Sequence, residues 1–194
     1  MTSYYAHSKP EGSTLPENNK EDWHLLREHL TAVGEGAAKR AAIWNGEDEA
    51  TLAGLLHDMG KYAVNFQKRL DGKMRGVNHW SQGAYWAGKH EAWLAAFAIY
   101  GHHVGIPSAE TIQKLGQAVQ DEMATWNITE TLQELKSAFE RDGLAIPPIQ
   151  GNAKALLQNK HRFALAARML FSALCDADFI DTETHFNKYV SESA

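Results

Sequence analysis

Cysteine is almost absent from this sequence of 194 residues, and proline and long apolar runs are scarce. The single Cys175 excludes an internal disulfide and a thiolate zinc cluster. It ends the apolar run Met169-Leu170-Phe171-Ser172-Ala173-Leu174-Cys175, which reads as the setting of a buried structural thiol, not a nucleophile. No stretch approaches the ~18 apolar residues of a membrane span. The first residues, Met1 to His7, lack the apolar core of a signal peptide, so a cytoplasmic protein is expected. Basic excess is missing as well. Nineteen Lys and Arg against 24 Asp and Glu leave a formal net charge of −5. A domain gripping nucleic acid over a wide basic face normally carries the opposite sign, so any phosphate must be attracted locally.

What is present suits one globular domain over residues 1–194, with 44% hydrophobic and 22% charged residues. Histidine is the abundant oddity, with ten residues. Neutral imidazole is the commonest protein ligand for transition metals.

Strand signals are scarce and the fold class expected is all-α. Residues 8–21 are polar with Pro and Gly and read as a loop. Leu26, His29, Leu30, Val33 and Ala37 follow helical spacing, with Asp22 as N-cap. A second helix is expected over residues 48–59, stopping at Gly60. A short amphipathic piece around Phe66 and Leu70 precedes the basic loop 71–76. Ser81 caps a helix through Ala87, and residues 91–100 read as a buried helix. Pro107 and Ser108 open another to about Trp126, and residues 129–141 give an amphipathic one. Gly143 to Pro148 break the chain before a long helix over residues 153–178.

The strongest local signal is Leu55-Leu56-His57-Asp58-Met59-Gly60-Lys61. A buried helix ends there in two adjacent metal-type ligands, which can converge at a helix end but would diverge by about 100° in its middle. The carboxylate can bridge two cations, and Lys61 can neutralise a phosphate oxygen. Taken alone, His57 equally suits a helix C-terminus, where it complements the dipole. His29 alone, on an apolar face, suits a hydrogen-bonded core position. The pair His102-His103 follows a buried helix, His79 precedes the small pair Gly83-Ala84, and Asp176 and Asp178 interrupt an apolar helix, where buried carboxylates need partners.

The order of these residues resembles the HD phosphohydrolase superfamily and, more narrowly, the HD nuclease domain of the CRISPR-associated type I helicase-nuclease. The narrower likeness rests on Tyr5-Ala6-His7-Ser8, on Trp23-His24-Leu25-Leu26 with His29, on the His57-Asp58 stretch with Phe66-Gln67, and on His79 with Gly83-Ala84. Tyr100-Gly101-His102-His103 and the run from Leu170 through Asp176-Ala177-Asp178 to Asp181-Thr182-Glu183 complete it. Two departures stand out. Trp80 follows His79 where the family has Ser, and no helicase motor follows, so the chain reads as a free-standing subunit or an excised domain.

The resemblance implies a helical HD bundle with a metal site between helix ends, holding two divalent ions bridged by Asp58. His29, His57 and Asp178 complete one site; His79, His102 and His103 the other. Asp176 is then a structural partner. A histidine-rich set suits Mn, Fe, Co, Ni or Zn better than Mg. Asp58 and Lys61 carry the catalysis, and the substrate is single-stranded DNA, delivered by a helicase after an RNA-guided CRISPR surveillance complex opens the duplex. Candidate substrate contacts are Lys61, Tyr62, Phe66, Lys73, Arg75 and Trp80, with Lys68 and Arg69 nearby. The rival readings are a nucleotide or cyclic-nucleotide phosphohydrolase with the same metal cage, and a non-catalytic metal-stabilised interaction module.

Overall fold

Leu26, Leu30, Val33 and Ala37 recur at helical spacing, and all four are fully buried on one face of α1 (Leu26–Ala41). The computed structural model describes residues 3–9, 13, 15–16, 19–148 and 158–190. Among them the fold is all-α in character, with one pair of very short strands, β1 (Tyr5–His7) and β2 (His24–Leu25), paired antiparallel. The strands displace the expected start of α1. Leu25 is extended and the Leu26 N–H donates to the Tyr4 carbonyl at 2.9 Å, so Asp22 is no N-cap. It is buried instead, with both carboxylate oxygens lacking a hydrogen-bond partner.

α2 (Glu47–Leu56) ends three residues before the expected stop. Asp58 breaks it at φ −112°, ψ 22°, close to the bridge region, and a 3-10 turn follows over Met59–Tyr62. α3 (Val64–Leu70) buries Phe66. α4 (Ser81–Lys89) starts as expected, but its leading amides are met by Asn78 Oδ1, 3.0 Å from Trp80 N. α5 (Trp93–Val104) runs beyond the expected Tyr100 and carries both His102 and His103 in its last turn. Glu49, reaching over from α2, accepts from Ala95 N at 2.9 Å and caps the other end.

The single helix expected up to Trp126 is two, α6 (Ala109–Gln113) and α7 (Leu115–Thr125), broken at Lys114. α8 (Leu132–Arg141) opens on a capping box between Thr131 and Glu134, a device worth ~1 kcal/mol. α9 (Lys160–Val190) begins where Asn159 Oδ1 accepts from His161 N and Arg162 N. The expected start at Ala153 lies outside the described residues, and the helix continues well past Asp178.

α1 packs on α2 and α9, while α5 lies between α9 and α4. Two close approaches need glycine. A Cβ on Gly54 would lie 2.4 Å from the Gly34 backbone, which brings α2 against α1; one on Gly83 would lie 1.8 Å from the Leu56 carbonyl oxygen, which brings α4 against the end of α2. The small pair Gly83-Ala84 therefore serves the close packing its sequence suggests. The ends of α2 and α5, the fourth residue of α1 and the middle of α9 meet in one place.

Candidate metal centre

Every ligand named from the sequence falls into one of two clusters: His29, His57 and Asp178, and His79, His102 and His103 with Asp58. In the first, His29 Nε2 lies 3.2 Å from His57 Nε2 and 3.4 Å from Asp178 Oδ1. In the second, His79 Nε2 lies 2.9 Å from His103 Nε2. Asp58 stands between them. Its Oδ2 is 3.5 Å from His29 Nε2 and 3.3 Å from His57 Nε2, and its Oδ1 is 3.3 Å from His79 Nε2 and 3.7 Å from His102 Nε2.

The rings are oriented by what their outer nitrogens hold. His57 Nδ1 is 2.7 Å from the Gly54 carbonyl oxygen, His79 Nδ1 3.2 Å from that of Val77, and His102 Nδ1 2.6 Å from that of Ile99. A carbonyl only accepts, so each Nδ1 carries a proton and donates it. Each Nε2 is then turned toward the others, where it could serve as a ligand atom. His29 follows the same rule with a carboxylate, its Nδ1 2.7 Å from Asp181 Oδ2.

These residues fit divalent cations. Asp58 Oδ1 and His102 Nε2 are buried and have no hydrogen-bond partner, a cost that a shared cation removes. The close pair His79–His103 brings ring nitrogens to 2.9 Å, where two lone pairs would repel. The donor set is five imidazoles and two carboxylates, which suits transition metals.

The charges agree. Burial alone would discharge His57, but Asp58 and Asp178 outweigh it and push its pKa up to about 10. Burial would raise Asp58, yet Lys61, His57 and His79 hold it well below the usual carboxylate range. Asp178 is held low in the same way by its hydrogen bond to His57. Burial lowers His79 to about 3 and, together with His102, His103 to about 4, leaving both rings neutral. Lys61 is itself buried and sits 2.6 Å from Asp58 Oδ2. Gly60 matters for closeness here, not for a special φ: a Cβ on it would lie 2.4 Å from Gln82 Oε1 and 2.6 Å from His79 Cα.

A hollow of about 310 Å³ opens over the centre, lined by His7, Asp58, Lys61, His102, His103, Cys175, Asp178, Phe179 and Thr182. Cys175 therefore faces the hollow half-buried, where the sequence suggested a buried packing thiol; burial pushes its thiol up to about 11. Asp176 is exposed, not a buried partner, because two residues along a helix turn it about 200° from Asp178. Tyr62 and Phe66 do not serve a substrate surface. Both are 2% exposed; Tyr62 donates to Asp142 and packs on Phe139, and Phe66 backs the His79 ring. Lys73 and Arg75 are exposed on the loop before Val77, with Lys73 paired to Asp71. Trp80 is half-buried against His79 and His103.

Sequence reasoning gave no role to Asp181, His7 or His24. His7 and His24 ride on β1 and β2, held by Gln67, whose side chain bonds both the N–H and the carbonyl of Tyr5. His7, His24 and His29 also bring ring nitrogens within 4.8 Å of one another. In that trio His24 directs Nδ1 at His7 Nδ1, 3.3 Å away, and Nε2 toward Asp181, 3.5 Å away. Both His29 nitrogens are already committed, Nδ1 to Asp181 and Nε2 toward His57, so the trio is better described as a polar chain behind His29 than as a third ion site. The signal for Asp181 was present in the helical offset of three from Asp178, which keeps both on one face.

The model of the HD domain family matches residues 26–163 of the chain. A search of curated proteins gave no match. The matched span holds more than half of the sequence and takes in His29, His57, Asp58, Lys61, His79, His102 and His103, and on that match and this geometry the chain belongs to the HD domain family, with the metal-dependent phosphohydrolase chemistry such a centre provides.

Proposed function

We propose that this chain is a divalent-metal-dependent nuclease that hydrolyses phosphodiester bonds of single-stranded DNA in the cytoplasm. Its place is in type I CRISPR interference, where a helicase feeds it a strand opened by an RNA-guided surveillance complex. The observation that carries the reading is the double cluster joined through Asp58 beneath an open hollow, together with the ordered motif from His7 to Glu183.

His29, His57 and Asp178 would hold one cation and His79, His102 and His103 the other, with Asp58 within reach of both. Such ions lower the pKa of water and neutralise charge gathering on a phosphate. The protein's own part is to fix and to fill. Backbone carbonyls and Asp181 keep the imidazoles in the ligating tautomer, and the surrounding core keeps them from moving. Lys61 pairs with Asp58 and lines the hollow, so its ammonium would be within reach of a phosphate oxygen of a strand seated there. With a net charge of −5, the chain has little long-range pull on duplex, and a flexible strand reaches a recessed site more readily than a stiff cylinder does.

The test compares circular single-stranded DNA, relaxed duplex DNA and free nucleotides with Mn²⁺ or Ni²⁺, with Asp58→Ala as the contamination control. The expected result is cleavage of circular single strands alone. Equal cleavage of both polymers, or hydrolysis of nucleotides with neither polymer cut, overturns the nuclease reading and favours the nucleotide phosphohydrolase.

A further inference from the structure

Beside the metal hollow lies a larger one of about 460 Å³, lined by Arg69, Gly76, Val77, Asn78, His79, Trp80, His103, Glu122 and Trp126. The two share His103 as a wall, and His79, in the same cluster as His103, lines the larger one. The size falls in the range of small-molecule sites, ~300–1,000 Å³. Both tryptophans are half-buried, Trp126 with part of its ring packed against the core, so each keeps some surface open. Trp126 is seated from two sides. Its ring lies against Gly76, where a Cβ would come within 3.0 Å, and its carbonyl is held by Asn65 Nδ2. Trp80 is held by ring contacts to His79 and His103, 5.3 and 4.9 Å between centroids.

We infer that this second hollow receives one unpaired nucleobase of the substrate strand, next to the phosphate cut over Asp58, with the Trp80 and Trp126 rings as its stacking partners. The inference rests on the nuclease reading and deepens it. The walls suit a base more than a phosphate: His79 and His103 join the hollow to the metal cluster, Arg69 supplies one positive charge for the backbone, and Glu122 disfavours phosphate but tolerates a neutral base. Aromatic stacking is indifferent to sequence, because every base has a π-face. A base in a duplex is already stacked and paired and must be flipped out at a cost of a few kcal/mol before it can enter. The hollow thus makes strandedness a property of this domain and not only of its partners.

Two measurements test this separately from the nuclease reading. First, tryptophan fluorescence of the metal-loaded protein is titrated with deoxycytidine 5′-monophosphate and with 2-deoxyribose 5-phosphate. The nucleotide should quench at concentrations where the sugar phosphate does not, and Trp126→Leu should abolish the difference. Equal responses to both ligands overturn the proposal, even if no DNA is cut. Second, an oligonucleotide with one abasic residue, which needs no variant, should lose cleavage at one flanking bond by roughly 5- to 100-fold, the range expected for one stacked base. Trp126→Leu should lower cleavage of the intact strand by a similar factor relative to hydrolysis of bis(4-nitrophenyl) phosphate, an ester without a base. Uniform cleavage across the abasic position, or an equal loss on DNA and on the small ester, overturns the proposal. Hydrolysis of the small ester by wild type with no DNA cut sinks the nuclease reading instead and leaves the fluorescence titration to decide the hollow.

Discussion

Asp181 Oδ2 lies 2.7 Å from His29 Nδ1, and that contact leaves His29 Nε2 directed at His57 and Asp178. Among the four orienting contacts to histidine Nδ1 described above, this is the one made to a charged acceptor. Carboxylate partners of metal-bound histidines typically contribute 10- to 100-fold in metal affinity. Asp181→Ala should therefore weaken one cation site by about that factor and spare the other, and Asp181→Asn should fall between. Competition with a chelator, read on Co²⁺ absorption, checks it; two unchanged affinities would remove Asp181 from the role.

Asp58 is grouped with His79, His102 and His103, and its Oδ2 also lies 3.5 Å from His29 Nε2 and 3.3 Å from His57 Nε2 of the other cluster. Asp58→Ala should lose both cations and all activity, with helicity largely kept, because the helical core does not depend on the site. Metal analysis and circular dichroism decide the point. Two ions retained in an active variant would refute the shared carboxylate.

Lys61→Ala should keep the metal content of the loaded protein yet lose roughly 30- to 1000-fold in rate, the range for one phosphate-directed cation at ~2–4 kcal/mol. Steady-state kinetics beside a melting curve separate the possibilities. An unchanged rate, or a loss that tracks unfolding, means that Lys61 only neutralises Asp58.

Cation loading should release a proton. His57 is pushed up to about 10 by Asp58 and Asp178 against its burial, so below that pH the ring is charged and must discharge to bind. Affinity at its cluster should rise with pH, by up to about tenfold per unit, until pH approaches 10. Calorimetry at pH 7.5 in two buffers of different ionisation enthalpy should give close to one proton released. A count near zero contradicts the charged ring.

Glu49 gives a pH effect far from the metals. Burial raises its pKa to about 7, opposed by the Ala95 and Leu94 amides it caps. A raised acid binds its proton more tightly when folded, so this contribution is full below about pH 4.5 and is lost as pH climbs through 7. Glu49→Gln keeps an acceptor and cannot ionise. It should match wild type in urea melts at pH 4.5 and exceed it by ~1–3 kcal/mol at pH 8. A difference independent of pH would place the effect elsewhere.

The sequence brought the candidate ligands into view better than the contacts that hold them. His57-Asp58 stood out by the buried run before it, whereas His29, in register with Leu26, Leu30 and Val33, read alone as a core position and joined the set only through the order of the whole. β1 and β2 were illegible because three and two residues are too few to display alternation. Asp22 has the composition of an N-cap, and only pairing with β1 moves the helix start past it. Tyr62 and Phe66 sit beside Lys61 in sequence and suggested a binding face, yet composition alone does not separate a stacking aromatic from a packed one. Trp126 gave no signal, since its partner wall arrives from residues 76–80 through the fold.

His29 and Asp181 are 152 positions apart in the chain, and the residues of the two clusters come from α1, the end of α2, the segment before α4, the end of α5 and α9. A chain in which those helices have not docked has no centre to offer. Resistance to unfolding should accordingly follow mass action in free cation, gaining ~2.7 kcal/mol at a hundredfold excess over the dissociation constant. Melting temperature then becomes a metal meter: the ion that raises it most at matched free concentration is the one this protein binds best, identifiable without any knowledge of its substrate.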